Sequence, residues 1–484
     1  MSPEYDQKEA CFSDWKQREE IAEQMLPVIG RLYRDNGVVI NLFGRRLVNQ
    51  STIGILKAHR FVRQIAGREL SVKETFPIIQ AMTKLNLASG RVDVARLAIA
   101  WQEQAEGDLF DFVKQQLEGL NTGRQNVLKQ PQDVVLYGFG RIGRLLARML
   151  VERSGGGDKM RLRAIVVRKT GAEDDLAKRA SLLRRDSVHG SFQGTILIDE
   201  ENSALICNGN FIKLIYADGP DKIDYTAHGI DNAIVVDNTG MWRDKEGLGL
   251  HLKSKGVSKV LLTAPGKGDI PNVVHGINHN ELDSDEKIFS AASCTTNAIV
   301  PILKVLNDNY GIKNGHVETC HSYTNDQNLI DNYHKGSRRG RAAALNMVIS
   351  ETGAAKAVAK VLPQLAGKLT GNAIRVPTPN VSLAILNLNF DKATDRDSLN
   401  NELRQVALHS PLKEQIAYTN SPEVVSSDFV GFPAAGIVDS LATIVDGDRA
   451  VVYVWYDNEF GYSCQVIRVI QQMAGIEFPE YPLG

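Results

Sequence analysis

Between Asp14 and Leu32 apolar residues return with a helical period: Ile21, Met25, Val28, Ile29 and Leu32 share one face, and Asp14 with Gln17 can form a capping box. A second stripe, Ile55, Ala58, Val62 and Ile65, starts after Ser51 and is placed to end at Gly67. Ser71 with Glu74 offers another cap, and Pro77 is set to kink or delay that helix. The stripes Val94, Leu97, Ala98, Trp101 and Leu109, Phe112, Val113, Leu117 continue the pattern. Residues 1–128 therefore read as an all-α module. Inside it, 37–48 is a β-type run that fits either a short hairpin or a loop.

Past a turn-prone linker at 121–126 the period changes. Short β-type runs at Val134–Tyr137, Leu162–Val167, Ala233–Asp237 and Val260–Thr263 alternate with helical stretches, which predicts an α/β unit with a doubly wound parallel sheet. The first run leads straight into Gly138-Phe139-Gly140-Arg141-Ile142-Gly143-Arg144 and then an apolar helix. In such a turn the first glycine allows the tight bend, the second admits a pyrophosphate, and the third lets helix and strand approach, so a dinucleotide site is expected. The second strand ends Val166-Val167-Arg168-Lys169. An NAD site would place a carboxylate there for the ribose hydroxyls, whereas Arg168 suits a 2′-phosphate, so the pattern leans to NADP or dual use. Glu173 and Asp174, on the following loop, are the carboxylates that could still reach the ribose.

A chain of 484 residues exceeds one ordinary core and suggests about three domains. The net charge of −1 gives no basic field for nucleic acid. Five scattered cysteines without a C-x-x-C pair fit neither a disulfide framework nor a metal site, so a reducing, cytoplasmic setting is expected. Acidic residues near Met1 and the lack of a long apolar run predict neither export nor membrane anchoring.

The reactive chemistry gathers at Ser293-Cys294-Thr295-Thr296-Asn297. A strand-like run at 288–292 precedes it and an apolar helical run at 298–306 follows, which sets Cys294 at a helix's positive end, with His321 downstream as a base. The alternative is a small core thiol and an ordinary buried imidazole.

Taken with Asp186-Ser187-Val188-His189-Gly190, Thr352-Gly353-Ala354-Ala355-Lys356, Arg375-Val376-Pro377-Thr378-Pro379-Asn380 and Trp455-Tyr456-Asp457-Asn458-Glu459, these motifs closely resemble the glyceraldehyde-3-phosphate dehydrogenase family over residues 131–484. The resemblance implies a Rossmann-type nucleotide domain at 131–292, completed by 456–484, and an α+β catalytic domain with a mainly antiparallel sheet at 293–455. It also implies a homotetramer in which the loop Tyr323–Asn346 reaches a neighbouring subunit, making Arg338, Arg339 and Arg341 interface charges. By motif, Cys294 is the nucleophile and His321 its base. Thr324 and Arg375 match holders of the substrate phosphate, and Ser293, Thr295, Thr352 and Gly353 match the site of the attacking inorganic phosphate. Gly138, Gly140, Arg141, Ile142, Gly143, Thr263 and Asn458 match cofactor contacts. The implied reaction is phosphorylating oxidation of glyceraldehyde 3-phosphate with NAD or NADP. Rival readings are an erythrose-4-phosphate dehydrogenase, a cysteine hydrolase, and a binding or regulatory protein acting through residues 1–128. Asp326, where many glycolytic members have threonine, bears on the first of these. For residues 1–128 the sequence names no partner.

Overall fold

The computed structural model describes residues 3–104, 107–123, 125, 127–153, 159–171, 173–281 and 285–483, with backbone only for 3–7 and 64. Two compact units result. One comprises Met1–Pro131, Ser154–Lys159 and Ile476–Gly484, and the other Gln132–Arg153 and Met160–Gly475.

The first unit opens with α1 (Pro3–Asn36), which runs through Asp14 instead of being capped there. Nothing between Pro3 and Asp14 breaks a helix, and the Asp14 carboxylate pairs with Arg18 at 2.9 Å and Lys73 at 3.0 Å. The hairpin alternative for 37–48 is the one that forms: β1 (Val38–Leu42) pairs antiparallel with β2 (Arg45–Arg46) across a Phe43-Gly44 turn with φ of 44° and 81°. The helices follow as α2 (Thr52–Phe61), α3 (Arg63–Ala66) and α4 (Val72–Met82), then β3 (Gly90–Asp93), α5 (Val94–Gln104) and α6 (Leu109–Gln116). Ser51 caps α2, Gly67 ends α3 at φ 72°, and Ser71 with Glu74 forms the capping box of α4, which continues through Pro77.

The expected helices are present, but the all-α description is corrected by a four-stranded sheet. Its order is Glu480–Tyr481, β3, β1, β2, with β1 and β3 parallel and the tail strand parallel to β3. The last residues of the chain thus group with the first unit, where the resemblance assigned them to the nucleotide domain. The reason is backbone pairing, joined by an Arg91–Glu480 ion pair at 3.0 Å. Met25, Ile40, Ile55, Ile78, Ile79 and Leu97 fill the core. The linker segment at 121–126 is tied down: Gly123 N donates to Asn86 O, and Asn121 Oδ1 accepts from Asn86 N. Arg124 and Asn126 of that segment lie outside the described residues.

The second unit carries two sheets. Its first part runs β4 (Gln132–Tyr137), α7 (Arg141–Arg153), β5 (Met160–Val167), α8 (Asp175–Arg184), β6 (Ile196–Asp199), β7 (Ala204–Cys207), β8 (Asn210–Tyr216), β9 (Ala233–Asp237), α9 (Lys245–Gly249), β10 (Val257–Leu262) and β11 (Ile288–Ser290). The sheet order β11-β10-β9-β4-β5-β8-β7-β6 is parallel as far as β8, and it reverses direction of build between β4 and β9, where a doubly wound sheet opens a crevice.

The second part runs α10 (Cys294–Tyr310), β12 (Ile312–Ser322), β13 (Val348–Glu351), α11 (Ala354–Val361), β14 (Leu369–Val376), β15 (Ser382–Phe390), α12 (Arg396–His409), β16 (Ile416–Thr419), β17 (Gly436–Asp446) and β18 (Arg449–Tyr456). Its sheet, β13-β14-β12-β15-β18-β17-β16, is mainly antiparallel, with α10, α11 and α12 packed on one face around Ile302, Val358, Leu386 and Leu403. Helix α13 (Phe460–Met473) returns to pack on α7.

Candidate active site

Cys294 is the first residue of α10. Ser293 caps the helix, its hydroxyl accepting from Thr296 N at 3.0 Å, so the thiol stands at the positive end of a seventeen-residue helix. The turn that presents it is strained: Ala292 is fully buried at φ 56°, and its carbonyl accepts from Tyr462 Oη at 2.9 Å. Asn297 ties the same turn together, its Nδ2 donating to Ala291 O at 2.8 Å and Ser293 O at 2.9 Å.

His321, near the end of β12, brings Nε2 to 3.5 Å from Cys294 Sγ. Arg375 on β14 is its register partner in the parallel pair, and Arg375 Nη1 lies 2.7 Å from His321 Nδ1 and donates to Ser322 O at 3.1 Å. Burial, and then the Arg375 charge, push the His321 pKa down to about 3. Burial also raises the Cys294 thiol, opposed by the Arg375 guanidinium. The thiol and the imidazole thus stand within reach of a direct proton transfer.

Tyr456, which the sequence reading used only as part of a motif, packs edge-on to the His321 ring and shares its hydroxyl with Thr295 Oγ1 at 2.9 Å and Thr319 Oγ1 at 2.7 Å. It fixes Thr295 beside the thiol. Val381, in the motif that begins at Arg375, adopts φ 67°, unusual for a β-branched residue, and its carbonyl accepts from Ser322 Oγ at 2.9 Å. Thr324 lies on the loop three residues past His321, while Thr352 and Gly353 form the head of α11, where Thr352 Oγ1 accepts from Ala354 N at 3.2 Å. Asn458, buried after β18, has its Oδ1 held by Ser382 Oγ at 2.9 Å.

At the β4–α7 turn the three glycines have distinct surroundings. Gly138 has φ 98° and sits against Thr239, a Cβ at Gly143 would meet Gly138 O at 2.4 Å, and a Cβ at Gly140 would meet nothing within 4 Å. The close contacts are therefore internal at the first and third positions, and the second is open to a ligand. Ile142 lies on the first turn of α7, and Arg141 is committed: its guanidinium binds Glu459 through Nε at 2.6 Å and Asp186 through Nη1 at 2.9 Å, with His189 Nε2 also 2.9 Å from Glu459. Burial opposes ionisation of Asp186, but the amides of His189 and Val188 and the Arg141 charge bring its carboxyl down to about 2.

A cleft of about 360 Å³ opens at the carboxyl ends of β4, β5 and β9, lined among others by Gly138, Arg168, Arg179, Asp218 and Trp242. Arg168 reaches Met241 Sδ at 3.3 Å. Asp174 pairs with Lys178 at 2.7 Å, and the carboxylate that lines the cleft is Asp218, on a segment the sequence reading did not consider. Thr263 follows β10, its hydroxyl donating to Asp237 O at 3.1 Å. Asp326 forms an ion pair with Arg339, and Arg341 pairs with Asp331 at 2.9 Å.

Two family models match the second unit: the NAD binding domain of glyceraldehyde 3-phosphate dehydrogenase over residues 132–245, and the C-terminal domain over 293–458. A glyceraldehyde-3-phosphate dehydrogenase-like protein of Pseudomonas aeruginosa is 63% identical over 462 residues, covering 95% of this chain and 100% of that protein. Glyceraldehyde-3-phosphate dehydrogenase 2 of Trichormus variabilis is 41% identical over 343 residues, 70% of this chain and 98% of its own length. The chloroplastic enzyme A of Zea mays is 44% identical over 336 residues, 69% of this chain and 80% of its own. A glycine turn, a capped cysteine and its histidine, all set within that shared length, agree with these matches: the chain belongs to the glyceraldehyde-3-phosphate dehydrogenase family of oxidoreductases.

Proposed function

We propose that this protein oxidises glyceraldehyde 3-phosphate, reversibly and with uptake of inorganic phosphate, to an acyl phosphate. The observation that carries the reading is the 3.5 Å approach of His321 Nε2 to Cys294 Sγ at the head of α10. As the thiol attacks the aldehyde carbon its proton passes to Nε2 and on to the carbonyl oxygen, which leaves a hemithioacetal on Cys294 and a free Nε2 lone pair. His321 then takes the proton of the hemithioacetal hydroxyl, which releases a hydride from carbon and leaves a thioester on the sulfur. Phosphate attacks that thioester, and Cys294 departs as the thiolate, reprotonated from His321. Arg375 and Thr324 hold the substrate phosphate, arginine offering a planar fork of donors to the dianion. Ser293, Thr295, Thr352 and Gly353 hold the attacking phosphate at the heads of α10 and α11.

A nicotinamide dinucleotide, when bound, supplies the hydride acceptor. The open space at Gly140 and the tight packing at Gly143 suit its pyrophosphate, with the backbone at Gly138, Arg141 and Ile142 as donors, since the Arg141 side chain is already paired. With Oδ1 of Asn458 occupied, its Nδ2 is left to donate to the carboxamide, and Thr263 lines the nicotinamide side. Arg168 at the ribose end favours NADP or dual use. The assembly proposed is a homotetramer and the setting cytoplasmic; among the described residues no helix is long and apolar enough to cross a membrane.

The test is a spectrophotometric assay with glyceraldehyde 3-phosphate and inorganic phosphate, run separately with NAD and NADP, and with erythrose 4-phosphate as the competing aldehyde. Cys294→Ser is expected to lower kcat at least a thousandfold. Undiminished turnover would defeat the reading, and a strong preference for NAD would remove the assignment of Arg168.

A further inference from the structure

Beneath the cleft at the ends of β4, β5 and β9 lies a buried pair that the proposed reaction does not use. Asp237 ends β9, in register with Tyr137 of β4, and His251 begins the short turn His251–Lys253 beyond α9. Both side chains are wholly out of solvent, with His251 Nε2 at 3.0 Å from Asp237 Oδ2. The other carboxylate oxygen is occupied too: Oδ1 accepts from Thr239 N at 2.8 Å and from Thr239 Oγ1 at 2.7 Å. A carboxylate only accepts, so His251 Nε2 carries the proton and donates it. Nδ1 of the same ring is buried without a hydrogen-bond partner among the described residues. The ring packs edge-on to Tyr137, with 4.7 Å between centres, and to Trp242 at 6.0 Å. An imidazole with one nitrogen left unpaired is a costlier filling for such a pocket than a hydrocarbon of its size. Its one distinguishing contact is the bond to Asp237.

That bond reaches the cleft through Thr239. A Cβ at Gly138 would meet Thr239 Cγ2 at 3.0 Å and Thr239 N at 3.3 Å, so the first glycine of the dinucleotide turn rests directly on this residue. Thr239 Oγ1 also accepts from Met241 N at 3.1 Å, which ties down the next stretch of wall. Tyr137, Gly138, Thr239, Met241 and Trp242 all line the cleft, whereas Asp237 and His251 lie under that lining. We propose that His251 and Asp237 are positioning residues for the dinucleotide: their bond holds the carboxylate against Thr239, and Thr239 sets the wall on which the Gly138 turn receives the pyrophosphate. The inference rests on the reading of this cleft as the dinucleotide site. The pair supports the turn that NAD and NADP share and not the ribose end at Arg168. It therefore sets the affinity for both dinucleotides and does not choose between them.

The experiment is calorimetric titration with NAD and with NADP, together with steady-state oxidation of glyceraldehyde 3-phosphate, on full-length variants shown by circular dichroism to be folded at the assay temperature. His251→Leu fills the pocket but removes the donor, whereas His251→Gln returns an amide N–H toward Asp237. In His251→Leu the Kd for each dinucleotide should rise about tenfold or more, and KM with it, while kcat at saturating dinucleotide stays within about twofold. His251→Gln should bring Kd back to within about threefold of the wild type. A folded His251→Leu that binds both dinucleotides as the wild type does overturns the proposal. So does a kcat that falls as far as the affinity, or a His251→Gln no better than His251→Leu. Should His251→Leu not fold, Thr239→Val keeps a methyl against Gly138 and loses the hydroxyl at Asp237. It should show the same rise in Kd, and unchanged affinity there overturns the proposal equally. These outcomes strike the inference alone; a wild type that binds neither dinucleotide removes the reading of the cleft, and the inference with it.

Discussion

At the scale of single residues, the glycine turn and the thiol turn are built on opposite devices. The first relies on missing side chains, the second on side chains and backbone forced into place. Gly143→Ala would drive a Cβ to 2.4 Å from the carbonyl oxygen of Gly138, and backbone cannot yield as a side chain can. It should cost about 1–3 kcal/mol in stability and weaken nicotinamide binding at least tenfold. Gly140→Ala meets no atom within 4 Å, so stability should change by less than about 0.5 kcal/mol while dinucleotide affinity still falls, because only the ligand approaches there. Thermal melts and cofactor titrations on both variants check the contrast; equal melting losses would refute it. Before the thiol, strain at Ala292 is sustained by full burial and by the Tyr462 hydroxyl, a pairing across the fold that no local pattern announces.

At the scale of elements, the first unit depends on contacts between segments far apart in the chain. His59 on α2 is buried, its Nε2 meeting Thr75 Oγ1 on α4 at 2.7 Å, and its Nδ1 meeting Ile55 O at 2.8 Å. Burial lowers its pKa from 6.5 to about 4. The unfolded chain therefore binds a proton that the folded chain refuses. This contribution is complete above pH 6.5 and is lost as pH falls toward 4. Between pH 7 and pH 5 it should remove about 2 kcal/mol, and His59→Gln should flatten that part of the stability–pH curve. Denaturant melts at the two pH values measure it, and an unchanged slope in the variant would contradict the assignment. The tail strand is a second such contact. Deleting residues 477–484 removes the pairing of Glu480 and Tyr481 with β3 and the Arg91–Glu480 ion pair. Limited proteolysis of the first unit should then speed up severalfold, while Cys294 alkylation, governed by the second unit, should keep its rate.

At the scale of the whole molecule, the second unit exposes large apolar side chains in one stretch of chain: Leu329 is 81% exposed, Tyr333 92%, Leu345 82% and Met347 75%. Such a stretch is costly to leave in water and supports the proposed assembly of copies. Light scattering should give about four times the 53.3 kDa chain mass, and Tyr333→Asp should lower it; a monomeric wild type would defeat the assembly. What the sequence determined by itself is everything whose cause is local. The glycine turn, the caps at Ser51 and Ser71, the helix headed by Cys294 and most strands follow from residue types at fixed short spacings, where sterics and backbone hydrogen bonding act within a few residues. The sequence also marked Cys294 and His321 as partners, through motifs and not through any distance it could supply. Tertiary structure alone decided which distant groups meet. The parallel register of β12 and β14 sets Arg375 beside His321, Tyr456 bridges Thr295 on a helix and Thr319 on a strand, and Asp218 reaches the dinucleotide cleft. The sheet in the first unit takes one of its edges from the far end of the chain. Strand pairing draws on backbone groups that every residue carries, so its partners are chosen by the packing of the whole chain and leave little mark on any one segment.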